Sequence, residues 1–170
     1  SFDKETETFG NQVDTLINAV TLGKSVTFPR PSYDGRWLLY SYADFGCFPI
    51  NHKEADLWLL DLQDGSTHPL ERANSSYCES FHNWSSDSHW ILFASRRGDS
   101  LYSRIYIAQI DENGNASKPF LLPQKDPDFY HKTLFTFNVP DFTSEKVNFR
   151  IRGAYEEAFS DERVQVTVKE

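Results

Sequence analysis

Residues 31–41 read PSYDGRWLLYS, and residues 84–94 read WSSDSHWILFA. At a constant offset of 53 residues, the two stretches share a serine, an aspartate, a tryptophan and a leucine at matching positions. Farther along, THPL at residues 67–70 matches SKPF at residues 117–120, so the offset has shrunk to 50 residues. The chain therefore contains an internal repeat, and its length changes mark loops between matched segments.

Each repeat unit reads as four short strands. In the first unit they end near Ser32, cover Trp37–Tyr42 and Asp56–Leu62, and end near Leu70; in the second they end near Ser85, cover Trp90–Ser95 and Arg104–Ile110, and end near Leu121. Glycine beside aspartate or asparagine at the turns supplies the positive φ of tight hairpins. A repeated four-stranded unit is typical of a β-propeller, so we predict an all-β fold of stacked antiparallel blades. A β-sandwich with accidental similarity is the alternative.

The same residues resemble a known family. PSYDGRWLLYS followed by EADLWLLDLQDGSTHPL (residues 54–70) is similar to the TolB-type, WD-repeat-like propeller unit, and the second unit departs from it where Ser88 replaces the turn glycine. The resemblance covers roughly residues 25–122. It implies a periplasmic or cell-envelope protein that acts through protein partners, and it brings no catalytic residues with it.

The repeat predicts the domain organisation. We expect a partial preceding blade or lead-in segment at 1–24, blades at 25–72 and 78–122, and a partial blade or C-terminal β extension at 123–170. In that last part, alternation predicts strands at 147–152 and 163–169 around a helical turn at 153–159.

Two complete units are too few to close a ring, since propellers usually have about four to eight blades. The chain is therefore expected to be a C-terminal fragment of a longer propeller. Alternatively, two copies complete one ring. Open blade faces would favour self-association in either case.

Composition excludes several classes of function. The chain has 25 acidic and 17 basic residues, a net charge of −8, which argues against nucleic acid and anionic membranes as main partners. A hydrophobic content of 39% predicts a buried core. No run of about 18 apolar residues predicts a membrane span.

The paired carboxylates of the repeat are interpreted as structural. Ser32 with Asp34 and Ser85 with Asp87 are placed to hold their hairpin turns, since such side chains accept backbone N–H bonds locally. A sialidase-type Asp box is excluded, because glycine follows Asp34 directly and the threonine of that motif is missing.

Five residues are candidates for binding at a propeller channel or on its rim: Arg30, His52, Glu54, His82 and Asn83. First strands line the channel of a propeller, and convergent polar groups at a channel mouth bind ligands. The histidines lack metal-ligand spacing, so we predict neither a metal site nor a cofactor. Satisfied or solvated histidines are the favoured interpretation, and a binding role is the alternative.

Cys47 and Cys78 fall in loops expected on the same rim, the first between the second and third strands and the second in the connection to the next blade. A disulfide closing about 30 residues would contribute roughly 3 kcal/mol. Two free, buried thiols are the default expectation.

Two short motifs suggest activities that the repeat disfavours. Gly98-Asp99-Ser100-Leu101 with His131 spells an esterase-like pattern, but only 31 residues separate the serine from the histidine, too few for an α/β hydrolase. Arg97-Gly98-Asp99 is an adhesion-type tripeptide within a strand connection. We interpret both as coincidental.

The predicted function is therefore non-catalytic. We expect a β-propeller scaffold that binds a protein or peptide in the bacterial cell envelope. The alternative is the propeller domain of a prolyl-oligopeptidase-type hydrolase, whose Gly-x-Ser-x-Gly elbow this chain lacks. A carbohydrate-handling propeller is a third reading, but the predicted channel strands carry no paired carboxylates.

Overall fold

Two four-stranded antiparallel sheets form the body of the protein. A computed structural model describes residues 2–147 and 150–160. In both sheets the spatial order of the strands follows the chain order, so every neighbour is a sequential antiparallel partner. Segments 31–41 and 84–94 lie in different sheets, where each supplies the second strand.

The strand bounds agree with the repeat to within a few residues. Sheet 1 consists of β3 (Ser25–Pro31), β4 (Trp37–Ala43), β5 (Asp56–Asp61) and β6 (Thr67–Pro69); sheet 2 consists of β7 (Glu79–Trp84), β8 (Trp90–Ser95), β9 (Arg104–Gln109) and β10 (Phe120–Leu121). A two-stranded hairpin of β1 (Phe2–Asp3) and β2 (Thr8–Phe9) precedes them.

The repeat extends upstream into the first strand of each sheet. Phe28 and Phe81 stand 53 residues apart, and both have a positive φ, +53° and +49°. Each lies where the register of its strand shifts, which is the mark of a β-bulge. The two rings meet edge to face, with centroids 5.1 Å apart. A bulge that both repeats share aligns the two first strands side by side.

The main core lies between the sheets. Alternate side chains of β4 and β5 pack there against alternate side chains of β8 and β9, as expected for sheets stacked face to face. Its buried residues are Trp37, Leu39, Leu57, Leu59, Leu70, Ala73, Trp84, Ile91, Phe93, Tyr106, Ala108, Ile110 and Ala116. Residues i and i+2 of a strand share a face. The apolar side chains at the alternate positions therefore point away from the core, to the outer sides of the two sheets.

The segment of residues 122–142, here called the strap, covers the outer side of sheet 2. Leu122, Phe137 and Phe142 pack against a second buried cluster that includes Leu92 and Ile105. Within the strap, α2 (Phe129–Lys132) is a single helical turn.

Helix replaces part of the predicted C-terminal β structure. The predicted strand at 147–152 is wrong at its end, because α3 (Ile151–Ala158) begins at Ile151. The predicted helical turn at 153–159 falls largely within this helix, and the predicted strand at 163–169 lies outside the described residues.

Before sheet 1 lies α1 (Ala19–Leu22). Asn18 caps its start, with a side-chain oxygen that accepts from the amides of Val20 and Thr21, and Gly23 caps its end. None of the helices in residues 2–147 and 150–160 is long and apolar enough to cross a bilayer.

Candidate functional site

The paired serines and aspartates hold the hairpin turns. Ser32 Oγ donates to Asp34 Oδ1 at 2.5 Å and accepts from the amide of Trp37 at 2.9 Å. Ser85 makes the corresponding bonds to Asp87 and to the amide of Trp90. The serine hydroxyls lower the pKa of both aspartates. These carboxylates are occupied within their turns, which fits a structural role.

Of the first-strand residues predicted to face a channel, His82 is buried, whereas Arg30 and Asn83 lie near the surface. His82 is only 1% exposed and lies against sheet 1, where its Nε2 donates to the carbonyls of Phe28 and Leu39 at 2.7 and 3.2 Å. This burial corrects the prediction for His82, because its ring cannot meet a ligand from solvent. Burial also lowers the pKa of His82 to about 4, so the ring is neutral at pH 7.

Arg30 and Asn83 stay near the surface. The side chain of Arg30 is exposed, and its carbonyl accepts a bond from the indole N–H of Trp84 at 3.0 Å. The amide of Asn83 donates to Asp141 Oδ1 of the strap at 2.9 Å. The strap therefore occupies Asn83, whereas Arg30 remains accessible beside it on the neighbouring first strand.

His52 and Glu54 lie together at the opposite end from the hairpin turns. His52 Nδ1 is 3.5 Å from Glu54 Oε1, and its ring stacks edge to face on Phe45 at 4.5 Å. Next to them, a 420 Å³ cavity is lined by Lys53, Glu54, Asp56, Ser75 and Ser76. Burial, with the nearby Glu79 charge, raises the pKa of Asp56 to about 6. The structure thus pairs His52 with Glu54 but separates both from Arg30, His82 and Asn83.

The two cysteine loops meet at this same end, yet both thiols are free. Cys78 is buried, and its Sγ donates to the carbonyl of Ile50 at 3.1 Å. Burial raises the pKa of the Cys78 thiol. Cys47 is exposed. Both thiols are therefore free in the structure, and the expectation that both are buried is wrong for Cys47.

The adhesion-type tripeptide presents Gly98 and Asp99 to solvent but not its arginine. Arg97 turns inward, where its guanidinium lies 4.7 Å from the ring centroid of Tyr106 and bonds Glu79 Oε1 at 2.8 Å. In the esterase-like motif, Ser100 Oγ donates to the carbonyl of Asp99 at 2.6 Å rather than to an imidazole. Neither motif has the geometry of its activity.

A groove that was not predicted from the sequence runs between the end of β6 and the turn that joins β9 to β10. We call it the outer groove; it has a volume of about 620 Å³ and is lined by residues 68–72 on one side and by Asp111, Asn113, Gly114, Asn115 and Ala116 on the other. A smaller cavity of about 230 Å³, lined in part by Gln109 and Ser117, shares four of these residues and extends it. Ligand sites in proteins commonly have volumes in this range.

One wall of the outer groove is rigid. The Asp111 carboxylate accepts from the amides of Asn113 and Asn115 at 2.9 and 2.8 Å, which holds the turn. A Cβ on Gly114 would come within 2.8 Å of the Trp37 ring, so only glycine fits this approach. His68 also reaches the carbonyl of Gly114 at 3.2 Å.

The other wall carries an uncommitted cation. Among the described residues, none forms a hydrogen bond or an ion pair with the exposed guanidinium of Arg72. Leu70 and Ala116 lie beneath the groove floor, where they are only 1% and 5% exposed. The outer groove can therefore hold an extended segment and pair an acidic group with Arg72. No spacing in the sequence brings residues 72 and 113 together, so only the packing of the sheets reveals this site.

Comparisons with known proteins give little further information. No family model matches the chain, and no curated protein matches it. Among solved structures, the chain is similar to one from a structural and mechanistic analysis of two prolyl endopeptidases, with 18% identity and a TM-score of 0.33. That match covers 66% of this chain and 23% of the other, so the chain spans about a quarter of its length. It does not discriminate between the predicted functions.

Proposed function

We propose that the protein is a non-catalytic β-propeller scaffold of the bacterial cell envelope, in which sheets 1 and 2 are neighbouring blades. Support for the blade arrangement comes from the shared strand order, the shared bulges at Phe28 and Phe81, and the face-to-face core. The TolB-type resemblance of residues 25–122 supports the envelope location and a role through partner proteins.

The observation that carries the binding role is the outer groove with its uncommitted Arg72. A rigid wall at Asp111–Gly114 and a floor above the buried Leu70 provide shape, and the guanidinium provides a charged anchor. Interfaces commonly draw much of their affinity from such arginines within well-packed surroundings. The partner is a protein or peptide segment that presents an acidic side chain or a terminal carboxylate to Arg72.

Site-specific photo-crosslinking tests this role. A benzoylphenylalanine placed at Asn113, in the groove, should yield a protein adduct in a bacterial periplasmic fraction. The same probe at Gln63, an exposed turn residue outside the groove lining, is the matched control and should yield none. Arg72→Glu should reduce the Asn113 adduct at least about ten-fold, because it reverses the anchoring charge.

Two results would overturn the binding role of the outer groove, and a third would contradict the envelope location. Equal adducts from Asn113 and Gln63 would show that contact is not specific to the outer groove. An Asn113 adduct that is insensitive to Arg72→Glu would remove the charged anchor. An adduct found only with cytoplasmic proteins would contradict the envelope location while leaving the groove in place.

A further inference from the structure

By the repeat, residues on the outer side of each sheet correspond to residues of the other sheet that pack in the core between them. At the 53-residue offset, Leu39 corresponds to Leu92 and Tyr40 to Phe93. Leu39 and Phe93 belong to the shared core, whereas Leu92 lies in the second cluster on the outer side of sheet 2. Each outer side therefore repeats the pattern of a side that is packed inside the molecule.

We name these two surfaces by their residues. Far face 1, on sheet 1, consists of Leu38, Tyr40, Tyr42, Trp58 and Leu60, which pair across β4 and β5. Far face 2, on sheet 2, consists of Leu92, Ala94, Ile105 and Ile107. By the repeat, the residues of far face 1 correspond to the residues of sheet 2 that pack in the core against sheet 1. In the same way, the residues of far face 2 correspond to the residues of sheet 1 that pack in the core against sheet 2. The two far faces are therefore complementary in pattern to each other.

The strap fills the place on far face 2 where another sheet could pack. Phe137 and Phe142 insert their side chains there. The amide of Phe137 donates to the carbonyl of Ser103 at 3.0 Å, and the amide of Leu122 donates to the carbonyl of Ile105 at 2.8 Å. Backbone bonds and aromatic packing together hold the strap against β9 and its preceding loop.

A buried arginine adds a polar anchor for the strap. Arg104 is 4% exposed, and its guanidinium donates to the carbonyls of Phe135 and Tyr130 at 2.6 and 3.1 Å. These carbonyls, with Asp99 at 3.6 Å, compensate a charge that would otherwise be costly to bury. The strap is thus held on sheet 2 by both apolar and polar contacts.

Far face 1 is also covered in part, since Tyr40 and Leu60 are 2% and 3% exposed. Residues 16–22 lie over part of it and leave a cavity of about 330 Å³ lined by Tyr40, Tyr42 and Trp58. The rings of Tyr42 and Trp58 are half-buried, with centroids 4.7 Å apart. An aromatic surface that retains an open cavity is suited to receive further apolar side chains.

We propose that the strap is a cap against head-to-tail self-association. When the strap leaves far face 2, far face 1 of a second copy takes its place and reproduces, between molecules, the packing of the two sheets within one molecule. Because the contact joins two different faces, it continues from copy to copy unless its rotation closes a ring. Repeat proteins in general need such a cap where a stack of similar units ends.

Sedimentation velocity over a range of protein concentrations tests this proposal. The wild-type chain is expected to remain at its monomer mass of 19.7 kDa. The double variant Phe137→Asp/Phe142→Asp should release the strap and raise the weight-average mass at least two-fold at high concentration. Adding Trp58→Glu, which places a charge on far face 1, should return the mass to that of the monomer.

A matched control changes two other phenylalanines in the same way. Phe45 and Phe48 are 65% and 61% exposed on the loop before β5, so Phe45→Asp/Phe48→Asp should leave the mass unchanged. If the strap variant fails to fold by circular dichroism, Arg104→Gln, which removes the arginine anchor and leaves Phe137 and Phe142 in place, is measured instead. A synthetic peptide of residues 122–142, added in excess, should then reverse the association.

Three results would overturn the proposal. A folded strap variant that stays monomeric would show that far face 2 does not bind a second copy. Oligomers that persist with Trp58→Glu would place the contact elsewhere. Oligomers of the wild-type chain itself would show that the strap does not act as a cap.

Discussion

Ser88 keeps a left-handed backbone where the equivalent residue of the first repeat is glycine. Its φ is +62°, compared with +74° at Gly35. The hydroxyl of Ser88 accepts a bond from the amide of Asp34 at 3.0 Å, and this bond joins the hairpin turn of sheet 1 to that of sheet 2. The strain of a non-glycine residue, about 1 kcal/mol, is thus offset by a bond that glycine could not make.

Substitutions at Ser88 should separate these two effects. Ser88→Ala loses the bond and keeps the strain, so the free energy of unfolding should fall by about 1 kcal/mol. Ser88→Gly loses the same bond but relieves the strain, so its loss should be smaller. Urea unfolding measures both, with Gly35→Ala as the control for strain alone, since a Cβ there meets nothing within 4 Å. A larger loss for Ser88→Gly than for Ser88→Ala would contradict this account.

Individual residues were predictable only where their role is local. The Ser-x-Asp turns follow from the chemistry of neighbouring residues, and the bonds of Asp34 agree with that prediction. The burial of His82 was not predictable in this way, because it depends on carbonyls of Phe28 and Leu39, more than 40 residues away. The same holds for Arg72, whose relation to the outer groove exists only after the sheets have packed.

At the scale of elements, one buried carboxylate joins the connection between the sheets to sheet 2. Glu79, at the start of β7, is fully buried, and its Oε1 accepts from Ser75 Oγ at 2.6 Å, from Ser95 Oγ at 2.8 Å and from Arg97. Arg97 also donates to the carbonyl of Ala73. This network fixes three chain segments, the connection at 70–78, β7 and the end of β8, at one place.

Removing the charge of Glu79 should therefore be strongly destabilising. Glu79→Gln leaves the guanidinium of Arg97 partly buried without its counter-charge, and breaking such a pair costs about 3–5 kcal/mol. Thermal or urea unfolding measures the loss. Glu71→Gln, an exposed glutamate on the same connection, is the matched control and should change stability by less than about 0.5 kcal/mol. Similar effects of the two substitutions would show that the network contributes little.

The sequence predicted the strands better than it predicted what covers them. Continuous apolar runs such as WLLY fix β4, and the matching run fixes β8, because period and turn chemistry are local signals. The strap carries no such signal: its phenylalanines are irregularly spaced and find their place only against far face 2. The prediction of a strand near Ile151 was wrong for a related reason. The same pattern of apolar residues also fits an amphipathic helix, and the structure has α3 there.

At the scale of the whole molecule, the buried His82 and the half-buried Asp56 act on stability with opposite signs as the pH falls. The pKa of His82 is lowered in the folded state, so the unfolded chain binds a proton first and stability falls between pH 6.5 and about 4. The pKa of Asp56 is raised, so the folded chain binds a proton first and stability rises as the pH falls through about 6. The two effects partly cancel in the wild-type protein.

Asp56→Asn should expose the effect of His82. The variant is expected to be more stable than the wild type at pH 7.5, by about 1–2 kcal/mol, because a neutral amide avoids the cost of burying a charge. Near pH 4 the two proteins should converge, so the variant loses more stability between these pH values. Urea unfolding at pH 7.5, 5.5 and 4.5 measures the curve. Parallel pH curves for the two proteins would refute the assignment to Asp56.

The unequal access of the two thiols gives the folded molecule a built-in chemical distinction. Cys47 is exposed and Cys78 is buried, and the sequence has no other cysteine. A fluorophore or spin label added under native conditions would therefore react with Cys47, on the loop that also carries His52. Cys78 would become reactive only when the sheets separate. The rate of its alkylation therefore measures the rate of unfolding in the wild-type protein.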